Sequence, residues 1–304
     1  MCYYGTHLYT GKIMDSDNIM QSLLDKEYNS EDKFLKPDFN SRSGREFLAF
    51  YLHAKFKQLM AFDKKQSAPM FIDMNPQFAN NFSRRLITNP KKHFLIGITG
   101  ESASGKSTIC KTIKTVISEF AMPVSILSTD NYFNDISELI EKHGSFDKLI
   151  ESGYDIDAPS SFQLNILRQD LIDLSEGIDI KAPSYMPNGT GISIPKSLPV
   201  ESKKIIIVEG IATMFDEVRD VFDIKLYVEA DKEIRKKRFM IRACEERNQT
   251  PENALQQWNY LETSGGNYVK NNRSLSDFVL NGNSDLKYFS QILEYLYTVT
   301  NNFQ

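Results

Sequence analysis

Cysteine is scarce in this sequence. Of 304 residues only Cys2, Cys110 and Cys244 carry a thiol, and their spacing matches no metal-binding pattern. That excludes a disulfide-stapled fold and fits a reducing compartment, so a cytoplasmic location is expected. Long apolar runs are missing too. No segment reaches the ~20 apolar residues that span a bilayer, and the opening "MCYYGTHLYTGKIMDSDN" has no signal-peptide core, so no membrane partner is expected. Nor is positive charge in excess: 36 Lys and Arg face 40 Asp and Glu, a formal net charge of -4. The basic pairs Arg84-Arg85 and Lys91-Lys92 and the run Arg235 to Arg238 lack interleaved aromatics, so nucleic acid is not an expected partner either. The chain has no internal repeat and no low-complexity tract.

What is present is enough apolar sequence, 41% of residues against 25% charged, to bury a substantial core. Two regimes divide the chain. Residues 1–90 read as a mostly helical extension. "DSDNIMQSLLDKEY" spaces Ile19 and Leu23, and Met20 and Leu24, four apart behind capping Asp and Ser residues. "SGREFLAFYLHAKFKQLMAF" puts Leu48, Leu52, Phe56 and Met60 on one helical face. Prolines in "APMFIDMNPQFANNFSRRLITNP" then break the pattern. The aromatics Phe47, Phe50, Tyr51, Phe56 and Phe62 predict an extension that packs instead of trailing free.

From 91 to 304, short apolar runs alternate with helical patterns. "HFLIGIT", "PVSILS", "KKIIIVEG", "DIKLYVEA" and "SDFVLNG" read as strands. "SSFQLNILRQDLIDLSEG" and "DKEIRKKRFMIRACEER" read as helices, and Ile109, Ile113, Val116, Ile117 and Phe120 mark the face of another. Such alternation predicts an α/β fold, a parallel sheet flanked by helices on both faces.

The first of these strands runs into "ITGESASGKST" at 98–108: a glycine, four residues, then Gly-Lys-Ser, with an amphipathic helix behind it. This is the pattern of a phosphate-binding loop, and it makes the expected sheet one of P-loop NTPase type. Gly100 permits a sharp exit from the strand, Gly105 lets main-chain amides approach phosphate oxygens, and the helix N-terminus adds partial positive charge. The expected nucleotide-binding residues are Gly100, Glu101, Ser102, Ala103, Ser104, Gly105, Lys106, Ser107 and Thr108. Lys106 would reach the β- and γ-phosphates and Ser107 would ligate Mg²⁺. Glu101 is a carboxylate in an anion-binding loop, so its side chain is expected to point outward.

Two further acids belong to the same chemistry. Asp130, in "ILSTDNYFND", lies just past the second strand, at the edge where ligands bind in open α/β sheets. There it can take the proton of an attacking hydroxyl and contact Mg²⁺, although a helix cap or loop acid would read the same way. Glu209 ends the buried run "IIIVEG", the place for an acid near a metal. The Asn-Lys-x-Asp motif of common GTPases is missing, as are the second motif sets of motors and helicases.

In order and spacing, "GESASGKST", "LSTDNYF", "YDIDAPSSF", "APSY", "IIIVEGI" and "RACEER" resemble the uridine kinase and phosphoribulokinase family over roughly residues 93–285, uridine kinases most of all. The resemblance implies transfer of the ATP γ-phosphate, with Mg²⁺, to the 5′-hydroxyl of uridine or cytidine. It implies that Asp130 is the catalytic base, that Asp157 binds the ribose hydroxyls and that Tyr185 lies beside the base. It also implies that Arg242 and Arg247 are arginines of a lid, around 232–250, that neutralises the phosphates. Arg238 stands one helical turn before Arg242, so it is expected to face the same site as a substrate-binding residue. Arg235, Lys236 and Lys237 read as a solvated helix face. The chain departs from the family where the acceptor is read: "MPNGTGISIPKS" after "APSY" has no pyrimidine-contacting histidine, and "EERNQT" puts Gln249 where the lid motif has a second arginine. The first ninety residues have no counterpart in the short uridine kinases. ATP and a small-molecule acceptor are the expected partners, with a homo-oligomer left open. The alternatives are a kinase of another alcohol (pantothenate, a sugar phosphate, another riboside) or a nucleotide-binding regulator without turnover.

Overall fold

A computed structural model describes residues 69–88, 91–112, 123–186, 190–247, 249–265 and 267–284, with scattered positions from 41 to 65. Its main sheet has six strands. In chain order they are β1 (Phe71–Met74), β2 (Phe94–Gly100), β3 (Val124–Ser128), β6 (Ile205–Glu209), β7 (Ile224–Glu229) and β8 (Phe278–Asn281); β4 (Ile180–Tyr185) and β5 (Ser193–Val200) form a separate antiparallel hairpin. The spatial order is β1-β8-β7-β2-β6-β3. All pairs are parallel except β1 with β8.

The five strands expected from apolar runs are β2, β3, β6, β7 and β8. Every residue of β2 is buried, as a central parallel strand requires, because helices cover both sheet faces. Among the helices are α1 (Phe78–Thr88), α2 (106–112), α3 (Ser137–His143), α4 (Phe146–Glu151), α5 (Leu164–Ser175), α6 (Lys232–Ile241) and α7 (Pro251–Tyr260). α5 buries Leu164, Leu167, Leu171 and Leu174, a three- and four-residue repeat, against Leu95, Ile206 and Phe222. Asp231 caps α6 by accepting from Glu233 N, and Thr250 caps α7 by accepting from Asn253 N, with Pro251 in the first turn.

β1 is the element hidden from the sequence, a four-residue strand between Pro69 and Pro76. Its Phe71 pairs with Leu280, and Phe71 N donates to Asp63 Oδ2 at 2.7 Å. Behind it, Phe78 of α1 packs on Phe278 (ring centroids 4.8 Å) and Phe82 on Phe94 (6.0 Å). Arg85 meets Asp277 Oδ2 at 3.2 Å. The compositional division near residue 90 therefore runs through one continuous sheet. Met60 is buried. The helical face at Leu48, Leu52 and Phe56, the pairs from Ile19 to Leu24, the aromatics Phe47, Phe50, Tyr51 and Phe62, and the positions from Ile113 to Phe120 lie outside the described residues. Among the described residues no helix is long and apolar enough to cross a membrane.

Candidate functional site

Because β2, β3 and β6 are parallel and in register, their ends fall at one edge: Glu209 pairs with Ile98 on one side and with Ser128 on the other. The phosphate loop leaves β2 there. Gly100 has φ 147, and a Cβ on it would lie 2.3 Å from Val228 O, so no other residue fits that exit. Lys106 Nζ donates to Gly100 O (2.6 Å) and Glu101 O (3.0 Å), which ties the start of α2 to the loop. Burial lowers the pKa of its ammonium, while Glu209, Asp130 and Asp157 pull it back up. Gly282, just past β8, presses on the other side of the loop, where a Cβ would stand 1.7 Å from Ser104 O. Sequence reasoning missed it; the only signal was the glycine ending "DFVLNG".

Loop residues Glu101 to Thr108 line a cleft of about 600 Å³. Asp130, Asp157, Glu209, Arg238, Arg242 and Arg247 line it as well, with Phe133, Phe146 and Ile156 at its apolar wall. Asp130 keeps solvent contact through the mouth of the cleft. The protein around it still pushes its carboxyl up to about 6, first by desolvation, then by the neighbouring Glu209. Lys106, Arg247 and Arg242 act in the opposite direction. Glu209 Oε1 accepts from Ser128 Oγ at 2.9 Å. Asp157 is pushed up to about 7 by desolvation, with Asp155 and Asp130 adding to it. Tyr185 does not line the cleft. It packs on Phe133 (5.1 Å between ring centroids), and Phe133 in turn lies on Phe162 (4.3 Å).

Arg242 and Arg247 owe their placement to a π turn, Arg242–Glu246, that follows α6. Arg247 N donates to Arg242 O at 3.2 Å, an i to i+5 closure. In an α-helix two residues five apart diverge, whereas the wider π turn brings them onto one face. Arg238 Nη1 is buried without a hydrogen-bond partner among the described residues. Arg235 is not on a solvated face: only 4% of its side chain is exposed, and it pairs with Glu101 (3.2 Å) and Glu262 (2.9 Å). Trp258 and Phe239 form the apolar floor that closes over this part of α6, so the charge run cannot face water throughout. Glu101 does turn its side chain out of the loop, toward Arg235.

The profile of the Phosphoribulokinase / Uridine kinase family matches residues 95–287, nearly two thirds of the chain. The chain belongs to that family. It is 33% identical to a uridine kinase of Clostridium perfringens over 192 residues, 62% of this chain and 88% of that protein. A uridine kinase of Staphylococcus haemolyticus is 29% identical over 61% of this chain and 86% of its own. Uridine-cytidine kinase A of Dictyostelium discoideum is 29% identical over 65% of this chain and 38% of its own. As a member of the phosphoribulokinase/uridine kinase family the protein is an ATP-dependent kinase. β1 and α1 lie ahead of the matched segment.

Proposed function

We propose that this kinase transfers the γ-phosphate of ATP to the 5′-hydroxyl of uridine or cytidine. The observation that carries the reading is the convergence of Lys106, Asp130, Asp157, Glu209, Arg242 and Arg247 on one cleft, from five separate stretches of a chain whose relatives are named uridine kinases. Main-chain amides of 101–108 and Lys106 bind the triphosphate. Asp157 orients the acceptor by accepting from its sugar hydroxyls. Asp130 takes the proton of the attacking hydroxyl as the new oxygen–phosphorus bond forms and the bond to the β-phosphate bridging oxygen breaks. Arg242 and Arg247, with Lys106, offset the charge on the group in flight, so the rate comes from positioning and electrostatics.

Ser107, Asp130 and Glu209 offer hard oxygen donors of the kind that suit magnesium, and two of them are close enough to perturb one another. These residues would hold a Mg²⁺ together with the nucleotide phosphates. When bound, the ion screens the triphosphate charge.

A second acceptor class has one observation in its favour: no histidine lines the described part of the cleft. ADP release with uridine, cytidine, purine ribosides, pantothenate and sugar phosphates separates the readings. Turnover of uridine or cytidine above all others is expected; inert pyrimidine nucleosides beside an active alternative alcohol would overturn the assignment.

A further inference from the structure

Arg235 lines the same cleft as Glu101 and Glu262, yet its guanidinium is engaged by carboxylates and takes no part in the chemistry above. Its guanidinium pairs with Glu101 of the phosphate loop and with Glu262 of the π turn Leu261–Gly265, and its Nη1 reaches toward Ser102 O at 3.4 Å. Its carbon lies 5.3 Å from the centre of the Trp258 ring. Lys232 meets Glu262 at 3.4 Å and Lys270 meets Glu101 at 4.0 Å. A guanidinium this far from water is costly unless it is paired, so the carboxylates around it explain its burial.

The converse question is what the arginine does for Glu101. That carboxylate belongs to a loop whose amides must receive a polyanion, and an uncompensated negative charge there would oppose every phosphate that enters. The surrounding three cations and two carboxylates leave a local charge of +1. We infer that Arg235 is a positioning residue that draws the Glu101 carboxylate toward α6 and cancels its charge, so that the loop stays receptive to triphosphate. The effect is electrostatic and acts through Glu101. Since Arg235 and Arg242 share one helical run, the loop and the lid arginines are also joined through this single side chain. The inference rests on the ATP-binding reading above.

The test is equilibrium binding of magnesium ATP to the full chain by calorimetry, with thermal unfolding alongside, for Arg235→Met, Arg235→Lys, Glu101→Gln and the Glu101→Gln/Arg235→Met double variant. Arg235→Met should weaken ATP at least tenfold, and added salt should recover little of the loss, because the Arg235–Glu101 pair is largely buried. Arg235→Lys keeps the charge and should lose less. The double variant should recover most of the lost affinity even where it unfolds no later than Arg235→Met, a recovery that a merely structural arginine would not produce. Glu101→Gln alone should bind ATP more tightly than the unaltered protein, because the loop then carries no carboxylate while Arg235 keeps its charge, a readout that survives if Arg235→Met fails to fold. Binding by Glu101→Gln no tighter than by the unaltered protein, or a double variant no better than Arg235→Met, would overturn the inference. So would an Arg235→Met variant that binds ATP normally, with the nucleotide reading intact. Absence of ATP binding by the unaltered protein would instead overturn both.

Discussion

Gly210 lies where the segments carrying the two cleft acids approach closely, and replacing it with alanine is a demanding check on the proposed chemistry. It follows Glu209 directly and has φ 132, where an L side chain is strained. A Cβ built there lies 2.0 Å from Thr129 Oγ1 and 3.1 Å from Thr129 Cβ. Ordinary contacts begin near ~3.5 Å, so Gly210→Ala must either turn the Thr129 hydroxyl out of its place or drive the two segments apart by as much as roughly 1.5 Å. Thr129 precedes Asp130, so that displacement falls on the proposed base and on Glu209 together. A misplacement of about 1 Å can cost ~10²-fold in rate, and we expect kcat to fall by about that factor. Backbone strain adds a loss of ~1–3 kcal/mol of stability. The KM for ATP should move little, since the loop hangs from β2. Thr129 Oγ1 is buried with no hydrogen-bond partner among the described residues, so Thr129→Ala should cost little by itself. Combined with Gly210→Ala it removes the worst contact, and it should restore roughly tenfold of the lost kcat. Coupled ADP release at saturating acceptor, with denaturant unfolding of each variant, gives both numbers. A folded Gly210→Ala protein with undiminished kcat would refute the reasoning.

The pH profile follows from Asp130, whose carboxyl sits at about 6 and must be ionised to accept a proton. Activity should therefore rise with pH through that value; about a tenth of the base is ionised at pH 5 and nearly all at pH 7.5, a roughly tenfold change in kcat/KM for the acceptor. Glu209→Gln removes the neighbour that raises Asp130, and bound magnesium favours the carboxylate, so each should carry the acid limb to lower pH; Asp130→Asn should lower kcat by ~10²–10⁴ and erase the limb. At the opposite end of the sheet, Asp277 accepts from Lys225 N (2.9 Å) and pairs with Arg85 (3.2 Å) and Lys225 Nζ (3.5 Å) with 2% of its side chain exposed. Asp277→Ala leaves two cations short of a partner and should cost ~3 kcal/mol or more in chemical unfolding; a loss under ~1 kcal/mol would mean that residues ahead of 90 contribute little to the sheet.

Sequence alone determined those features whose physics is local. A strand buried on both faces must be a short unbroken apolar run, and β2, β3, β6, β7 and β8 all announced themselves in that way. A loop that wraps phosphate needs glycines at set intervals between a strand and a helix, so 100–108 could be read without any fold. Parallel pairing of those strands then carried Asp130 and Glu209 to the same edge. The tertiary structure decided everything that depends on distant partners. β1 exists because β8, some 200 residues later, offers it a partner across the prolines' short gap. Arg235, one of four consecutive basic residues, is buried because Glu101, Glu262 and Trp258 arrive from three other segments. Arg242 and Arg247 share a face only because the helix widens to a π turn, and Gly282 is obligatory only because Ser104 lies against it. Periodicity and spacing report what a chain does with its neighbours in sequence; burial and charge pairing are settled by whatever the fold brings alongside.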